Sequence, residues 1–526
     1  MFNFGRKKSD EAASGDAIAA DPVPVDGEAP LEKEGKFITL PVVACGAGLF
    51  SDGYVANVIG SVSTIFGKLY PDQWTTDQKQ IVNAIAFAGT SPSDRWDHAH
   101  KVVGQLGFGF LSDKWSRTNS LLVSTVILIV FTALCAGSYY HGSIVGMFQI
   151  LTAWRFFVGI GIGGEYPAGS VACAESTGEV KKGWRHMVFI LFTNSMIDVG
   201  FVIGAFVPYV VAAACQNQHL STQWRVSLAI GCVFPCILFV MRLFIKEPEE
   251  FQRESMRHVK TPYKLVFKFY GWRLFIVSLI WGEWPTDMTS LRQFLTYAFG
   301  IYSSTILASI YPKTAPLTTI FGWNTVINLF YLPGTILGSK VSDWLGPKYT
   351  LVLGVALQGI VGFIMAGDYK NLSQENMVAA FAVVYGIFLS LGELGPGNNI
   401  GLLASKSCAT GVRGQYYGIA AAFGKIGAFV GTYIYPFIED AGGDSDVASA
   451  QYPFYVSSSL CFLSAALTFL FMPNVSQDTI RYEDVRFREY LEQNGWDTAQ
   501  LGLKPTDFGV DAGSVLQAGI SREPEK

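Results

Sequence analysis

Gly159-Ile-Gly-Ile-Gly-Gly-Glu-Tyr-Pro167 lies inside an apolar run that begins near Met147 and continues past Val171. Read literally, Gly159-x-Gly161-x-x-Gly164 matches the dinucleotide-binding fingerprint, but that pattern carries meaning only after a strand and at the start of a helix. Here the preceding residues, Gln149 to Val158, extend an apolar helix. In a membrane-crossing helix the glycines let a neighbouring backbone or a ligand come close, and Pro167 weakens the helix just beyond. A small-residue packing face would explain the glycines and leave Glu165 unexplained. An acidic residue at the centre of an inserted helix costs roughly 2.5 to 3.5 kcal/mol, so Glu165 should face a cavity or a partner and not lipid.

The rest of the chain extends this reading. Of 526 residues, half are apolar, 14% are aromatic and only 15% are charged, which is too apolar for an ordinary soluble protein. Windows of about 20 mostly apolar residues recur about a dozen times, each able to cross a hydrocarbon core of roughly 30 Å. The expected fold is an all-α polytopic membrane protein with twelve transmembrane helices in two six-helix bundles. Residues 1–36 are polar and without an apolar core, so they are expected to form a disordered cytoplasmic tail and not a cleavable signal peptide. The N-terminal bundle is expected over 37–245, a charged amphipathic cytoplasmic linker over 246–270, the C-terminal bundle over 271–473 and a second cytoplasmic tail over 474–526.

Loops after the even-numbered spans hold Lys114, Arg117, Lys181, Lys182, Arg185, Lys348, Lys406 and Arg413, while the opposite loops, such as 216–223 and 439–451, hold almost no basic residues. Both termini are therefore expected to be cytoplasmic. Asn371-Leu-Ser373 would then lie outside, as a glycosylation site or an unused sequon. The eight cysteines lie mostly within apolar segments, with no CxxC pair and no metal-ligand histidine cluster, so they read as small buried hydrophobes. No cofactor, no metal and no nucleic-acid partner is expected, and no nucleophile and base pair suggests an enzyme.

The two halves repeat one element. Gly104-Gln-Leu-Gly107 precedes Asp113 by nine residues from its first glycine, and Gly334-Thr-Ile-Leu-Gly338 precedes Asp343 by the same nine. Lys114 and Arg117 follow the first aspartate and Lys348 the second. Matching elements in matching loops mark a duplicated transporter.

These features resemble the major facilitator superfamily, whose loop motif of Gly, Asp and Arg/Lys lies between spans two and three and again between eight and nine. The match is closer to its phosphate:proton symporter branch, which carries G-x-G-x-G-G-[DE]-Y-P in span four, here Gly159 to Pro167, and a late G-[KR]-x-G in span eleven, here Gly424-Lys425-Ile-Gly427. Glu165-Tyr-Pro-Ala-Gly-Ser and Gly392-Glu-Leu-Gly-Pro-Gly-Asn-Asn-Ile-Gly-Leu-Leu-Ala-Ser405 look most like the fungal glycerophosphodiester permeases. That resemblance implies proton-coupled uptake of glycerophosphocholine or glycerophosphoinositol across the plasma membrane by alternating access. An inorganic phosphate symporter and a non-transporting nutrient sensor are the alternatives, and a monomer is expected.

Several polar residues inside apolar spans are candidates for the site. Asp52 matches the family's span-one aspartate, and either pins span one to span four or carries a proton. Pairing Glu165 with Asp52 would let one proton be shared between two carboxylates. Tyr166, Tyr297 and Asn398 are expected on the substrate phosphate. Lys425, an ammonium in an apolar span, needs compensation either from an anionic phosphodiester or from a carboxylate of the other half. Glu393 could attract a quaternary ammonium such as choline or accept from inositol hydroxyls, and Gly395-Pro-Gly397 beside it should break span ten. Asp113, Lys114, Arg117 and Asp343 form the gating loop motif. Arg155 is expected in a cytoplasmic or cavity network, and Asn194, Asp198, Asn324 and Asn328 read singly as structural.

Two stretches depart from the branch. Its span-seven Trp-x-x-x-Asp-x-x-x-Tyr is not kept: Tyr297 aligns, but Gln293 stands at the aspartate position, and Trp281 is followed by a polar run containing Asp287. In span two, Ser91 to Lys101 separates two segments that would otherwise join smoothly. Both read as retained intron sequence or a gene-model error, the alternative being real cavity-facing loops.

Overall fold

The computed structural model describes residues 40–84, 100–181, 183–281, 299–300, 303–304, 306–308, 310–311, 315–443 and 445–502. The expected N-terminal tail, the polar stretch Ser91 to Lys101 apart from its last two residues, and the span-seven positions Asp287, Gln293 and Tyr297 lie outside the described residues. In chain order the helices are α1 (Leu40–Leu69), α2 (Thr76–Ala84), α3 (His100–Lys114), α4 (Arg117–Ala136), α5 (Ile144–Ser176), α6 (Arg185–Ala214) and α7 (Leu220–Arg242). There follow α8 (Glu249–Glu254), α9 (Tyr263–Trp281), α10 (Leu317–Leu345), α11 (Pro347–Gly367), α12 (Val378–Lys406), α13 (Arg413–Asp440), α14 (Asp446–Phe471) and α15 (Thr479–Gln493).

Among the described residues nine helices are long and apolar enough to cross a membrane: α1, α4 to α7, α10 to α12 and α14. The pair α2 and α3, then α9 and α13, stand where the other three of twelve spans fall. Outward faces carry apolar side chains, with Phe267, Trp272, Leu470 and Ile364 all well exposed, as a lipid-facing surface requires. Five cysteines are buried, but Cys236 is exposed, because it shares an outward face of α7 with Val233, Ile237 and Val240.

Small residues set the packing. A Cβ on Gly53 of α1 would run into the Ile197 carbonyl of α6, and one on Gly200 of α6 into the Phe50 carbonyl, so these helices touch backbone to backbone. Gly161 and Gly164 receive Leu128 of α4 and Phe108 of α3; their space is filled by neighbouring helices. The two halves of the chain meet along two matched seams, α3 against α13 and α6 against α10.

Both prolines expected to weaken helices do so in the same way. Tyr166–Ser170 in α5 and Glu393–Gly397 in α12 are π-helical turns, which absorb the missing proline N–H by widening the backbone instead of breaking it. Span ten is thus continuous where a break is expected from sequence. Each widened turn lies beside a buried carboxylate, Glu165 in one half and Glu393 in the other.

Candidate functional site

At the meeting of the halves, α1 contributes Asp52, α5 contributes Tyr166 and α13 contributes Lys425, all nearly inaccessible. Lys425 Nζ donates to Asp52 Oδ2 at 2.8 Å and to the Tyr166 hydroxyl at 3.0 Å, while that hydroxyl donates to the same Oδ2 at 2.6 Å. The ammonium also stands 4.6 Å from the centroid of the Tyr166 ring. Of the two partners the sequence leaves open for Lys425, the carboxylate of the other half is the one it meets here. Each buried ion alone would cost several kcal/mol, so the pair is held by mutual need.

Glu165 does not share a site with Asp52. Its Oε2 accepts from Arg242 Nη2 at 2.6 Å, and its Oε1 from Arg242 Nη1 and Ser124 Oγ at 2.7 Å each. The physical reason is helical geometry: consecutive residues point about 100° apart, so Tyr166 facing Asp52 turns Glu165 toward α4 and α7. Arg242 also donates to the carbonyls of Ala44 and Leu121 and to Thr125. A Cβ on Gly48 of α1 would collide with this ion pair. Arg242 is absent from the sequence candidates because it lies near the end of an apolar run beside a basic linker, where an arginine is ordinary; its signal was that Leu243, Phe244 and Ile245 still separate it from Lys246.

Beside the triad lies a cavity lined by Tyr166, Phe201, Trp281, Tyr331 and Tyr417 together with Asn194, Glu393 and Asn398. Asn194 Nδ2 donates to Glu393 Oε2 at 2.8 Å and to Asn398 Oδ1 at 3.1 Å, and Asn398 Nδ2 donates to the Thr335 carbonyl at 3.0 Å. Asn194 therefore lines the cavity. Asn324 and Asn328 join a chain from α1: Asn57 Nδ2 donates to Asn328 Oδ1 at 2.7 Å, and Asn328 Nδ2 to Asn324 Oδ1 at 3.1 Å. Arg155 lies apart from both expected networks, its Nε donating to the Val82 carbonyl of α2 at 3.0 Å.

The repeated loop aspartates play matching parts. Asp113 accepts from the backbone N–H groups of Gly414 and Gln415 at 2.9 and 2.8 Å, at the start of α13. Asp343 accepts from the N–H groups of His186 and Met187 at 3.3 and 3.1 Å, at the start of α6. Each carboxylate of one half thus sits at a helix N-terminus of the other, where unpaired N–H groups and the helix dipole favour an anion. Arg117 bridges Asp113 at 2.6 Å and Glu175 at 3.0 Å, and Arg413 meets Glu175 at 3.0 Å. Lys114 donates to the linker carbonyls of Met256 and Val259. At the opposite end, Lys68 Nζ donates to the Ala315 carbonyl at 2.9 Å, Asn217 pairs with Thr318, and the Thr64 and Ser304 hydroxyls stand 3.3 Å apart. The halves are bridged at both ends, so the conformation is occluded.

Residues 40–485 match the family model described as sugar (and other) transporter. A glycerophosphodiester transporter of Candida albicans is 46% identical over 477 residues, covering 90% of this chain and 85% of its own. A glycerophosphocholine permease of the same organism is 46% identical over 474 residues, covering 89% and 84%. Among solved structures, the proton:xylose symporter XylE bound to 6-bromo-6-deoxy-D-glucose superposes with a TM-score of 0.66 at 15% identity, covering 85% of this chain and 98% of that one. Paired six-helix halves, a buried polar centre between them and these relatives lead to one conclusion: the chain belongs to the sugar (and other) transporter family of the major facilitator superfamily, a multi-pass membrane transporter and not an enzyme.

Proposed function

We propose that the chain imports a glycerophosphodiester across the plasma membrane together with protons, by alternating access, with both termini cytoplasmic. The observation that carries this reading is the ion pair between Asp52 and Lys425, which spans the two halves at 2.8 Å. A proton arriving on Asp52 cancels the charge that holds Lys425. The ammonium can then meet the phosphodiester anion, with Tyr166 and Asn398 supplying further donors. Charge stays balanced at each stage: carboxylate with ammonium when empty, neutral acid with ammonium and phosphodiester when loaded. Tyr297 would complete the phosphate contacts.

The head group would lie toward Glu393, where a carboxylate stands among Trp281, Tyr331 and Tyr417, a setting suited to a quaternary ammonium. Glu165, its charge matched by Arg242, is assigned to holding α5 against α4 and α7, and Asp52 carries the proton. Asp113, Lys114, Arg117 and Asp343 keep the cytoplasmic end shut until the halves part.

Uptake of labelled glycerophosphocholine, glycerophosphoinositol and inorganic phosphate in permease-deficient cells at two external pH values tests this. Acid-stimulated uptake of a glycerophosphodiester is expected. Uptake of inorganic phosphate alone would favour the phosphate-symporter reading, and binding without accumulation would favour a sensor.

A further inference from the structure

Asp198 on α6 is 1% exposed. Asp52 is matched by Lys425, Glu165 by Arg242, and Glu175 by Arg117 and Arg413. Among the described residues Asp198 has no such cation: Oδ1 is without a hydrogen-bond partner there, and Oδ2 meets the Thr335 hydroxyl of α10. That hydroxyl also lies 3.1 Å from the Tyr331 carbonyl. A carbonyl can only accept, and a hydroxyl has one hydrogen to give. Thr335 can donate to only one of the two acceptors, so a hydrogen on Asp198 lets both contacts be satisfied at once.

The surroundings agree with a neutral acid. Two titratable groups from other elements act on it: Glu393 of α12, a like charge, and Tyr331 of α10, whose hydroxyl is also buried without a partner among the described residues. From α1, Gly53 packs on this part of α6 and Asn57 donates to the Phe201 carbonyl, while Asp52 turns to Lys425. On α6 itself Asn194 bonds Glu393 and Asn398. An ionised carboxylate there would carry an uncompensated burial cost of several kcal/mol.

We propose that Asp198 is a further proton-carrying carboxyl of the transport cycle, protonated in the occluded conformation and bonded to Thr335 across the α6–α10 seam; this rests on the proton-coupled reading above. Asn194, Ile197 and Phe201 place this face of α6 on the central cavity. Opening the seam separates Asp198 from Thr335 and admits water. The O–H bond then breaks, its electron pair stays on the carboxylate, and the proton passes to water. Reloading from the acidic side reverses the step. Breaking the bond between the halves and releasing the proton are therefore one movement.

The test uses the full chain in proteoliposomes, with labelled glycerophosphocholine and glycerophosphoinositol driven either by a pH gradient or by substrate counterflow. Asp198→Asn is expected to lose about tenfold of gradient-driven accumulation, while counterflow, which needs no net proton movement, falls by less than about threefold. Asp198→Glu should regain accumulation with its pH midpoint shifted. Infrared spectra should show an un-ionised carboxylic C=O band in the wild type that Asp198→Asn removes and Asp198→Glu moves. Unaltered accumulation and pH profile in Asp198→Asn overturn the assignment, as does an infrared band common to all three. Should Asp198→Asn fail to fold, Asp198→Glu decides alone, an unshifted profile counting against. A wild type with counterflow but no gradient-driven accumulation overturns proton coupling, and this assignment with it.

Discussion

Asp52 and Lys425 compensate one another's buried charge, which makes their energetics separable from their function. Replacing Asp52 by Asn takes the carboxylate charge from the buried ammonium and should destabilise the protein by about 3 to 5 kcal/mol. The double variant Asp52→Asn with Lys425→Gln removes both charges and should recover most of the thermal stability in detergent while uptake stays lost. A double variant that transports would show the pair to be merely structural. Glu165 gives the contrasting case, since its carboxylate meets both terminal nitrogens of Arg242. Glu165→Gln is expected to lower thermal stability by about 3 to 5 kcal/mol, because Arg242 is left buried and unpaired. A fully stable Glu165→Gln that loses only proton-driven uptake would return Glu165 to the proton path. The cost of a charge in an apolar run made Asp52, Glu165 and Lys425 legible in the sequence. Which carboxylate met which cation was not, because that depends on how each helix is rotated about its axis.

At the scale of single elements, α15 was hidden in a charged tail that composition alone could not dock. It lies across the linker end: Asp484 accepts from Thr410 N and Oγ1 at 2.6 and 2.8 Å, Arg488 meets Glu254 of α8 at 2.7 Å, and Glu483 meets Arg273 of α9 at 2.8 Å. Just before it, Asp478 pairs with Arg185 at 2.5 Å and Gln477 donates to Asp343 at 3.0 Å. Burial pushes the Asp484 carboxyl up from 3.8 to about 6, against the opposing pull of Arg413 and the Thr410 bonds. The docked helix therefore binds a proton more tightly than the undocked one. Its contribution to docking is full below the ordinary carboxylate value and is lost as pH rises through about 6. Hydrogen exchange of α15 should accordingly slow as pH is lowered from 7 to 5, after correction for the intrinsic rate. Asp484→Asn, neutral at every pH, should dock more tightly at pH 7 and abolish that dependence. Equal pH sensitivity in the variant and the wild type would place the effect elsewhere.

Across the whole molecule, the duplication seen as two Gly-to-Asp spacings correctly announced two related halves, and apolar windows announced the helices. Periodicity could not reveal that each loop aspartate caps a helix of the opposite half, since that contact joins residues about 300 positions apart for Asp113 and Gly414. Nor could it show that bridges close both ends at once. Among the described residues, closure at the linker end uses buried ion pairs, whereas the opposite end uses hydroxyls, amides, Lys68 and the attraction between Lys79 and Glu439. Thr64 of α1 and Ser304 offer a direct test, because their hydroxyl oxygens stand 3.3 Å apart and both side chains are short. Thr64→Cys with Ser304→Cys puts two thiol sulfurs where hydroxyl oxygens now stand 3.3 Å apart, so a small shift brings them to a disulfide's S–S length of about 2.05 Å. Oxidation should then fix this end shut and stop uptake, and a reductant should restore it. Each single variant should ignore both reagents. If the cross-linked protein transports at its reduced rate, the two halves do not part at this end, and rocking about the Asp52–Lys425 centre is the wrong motion.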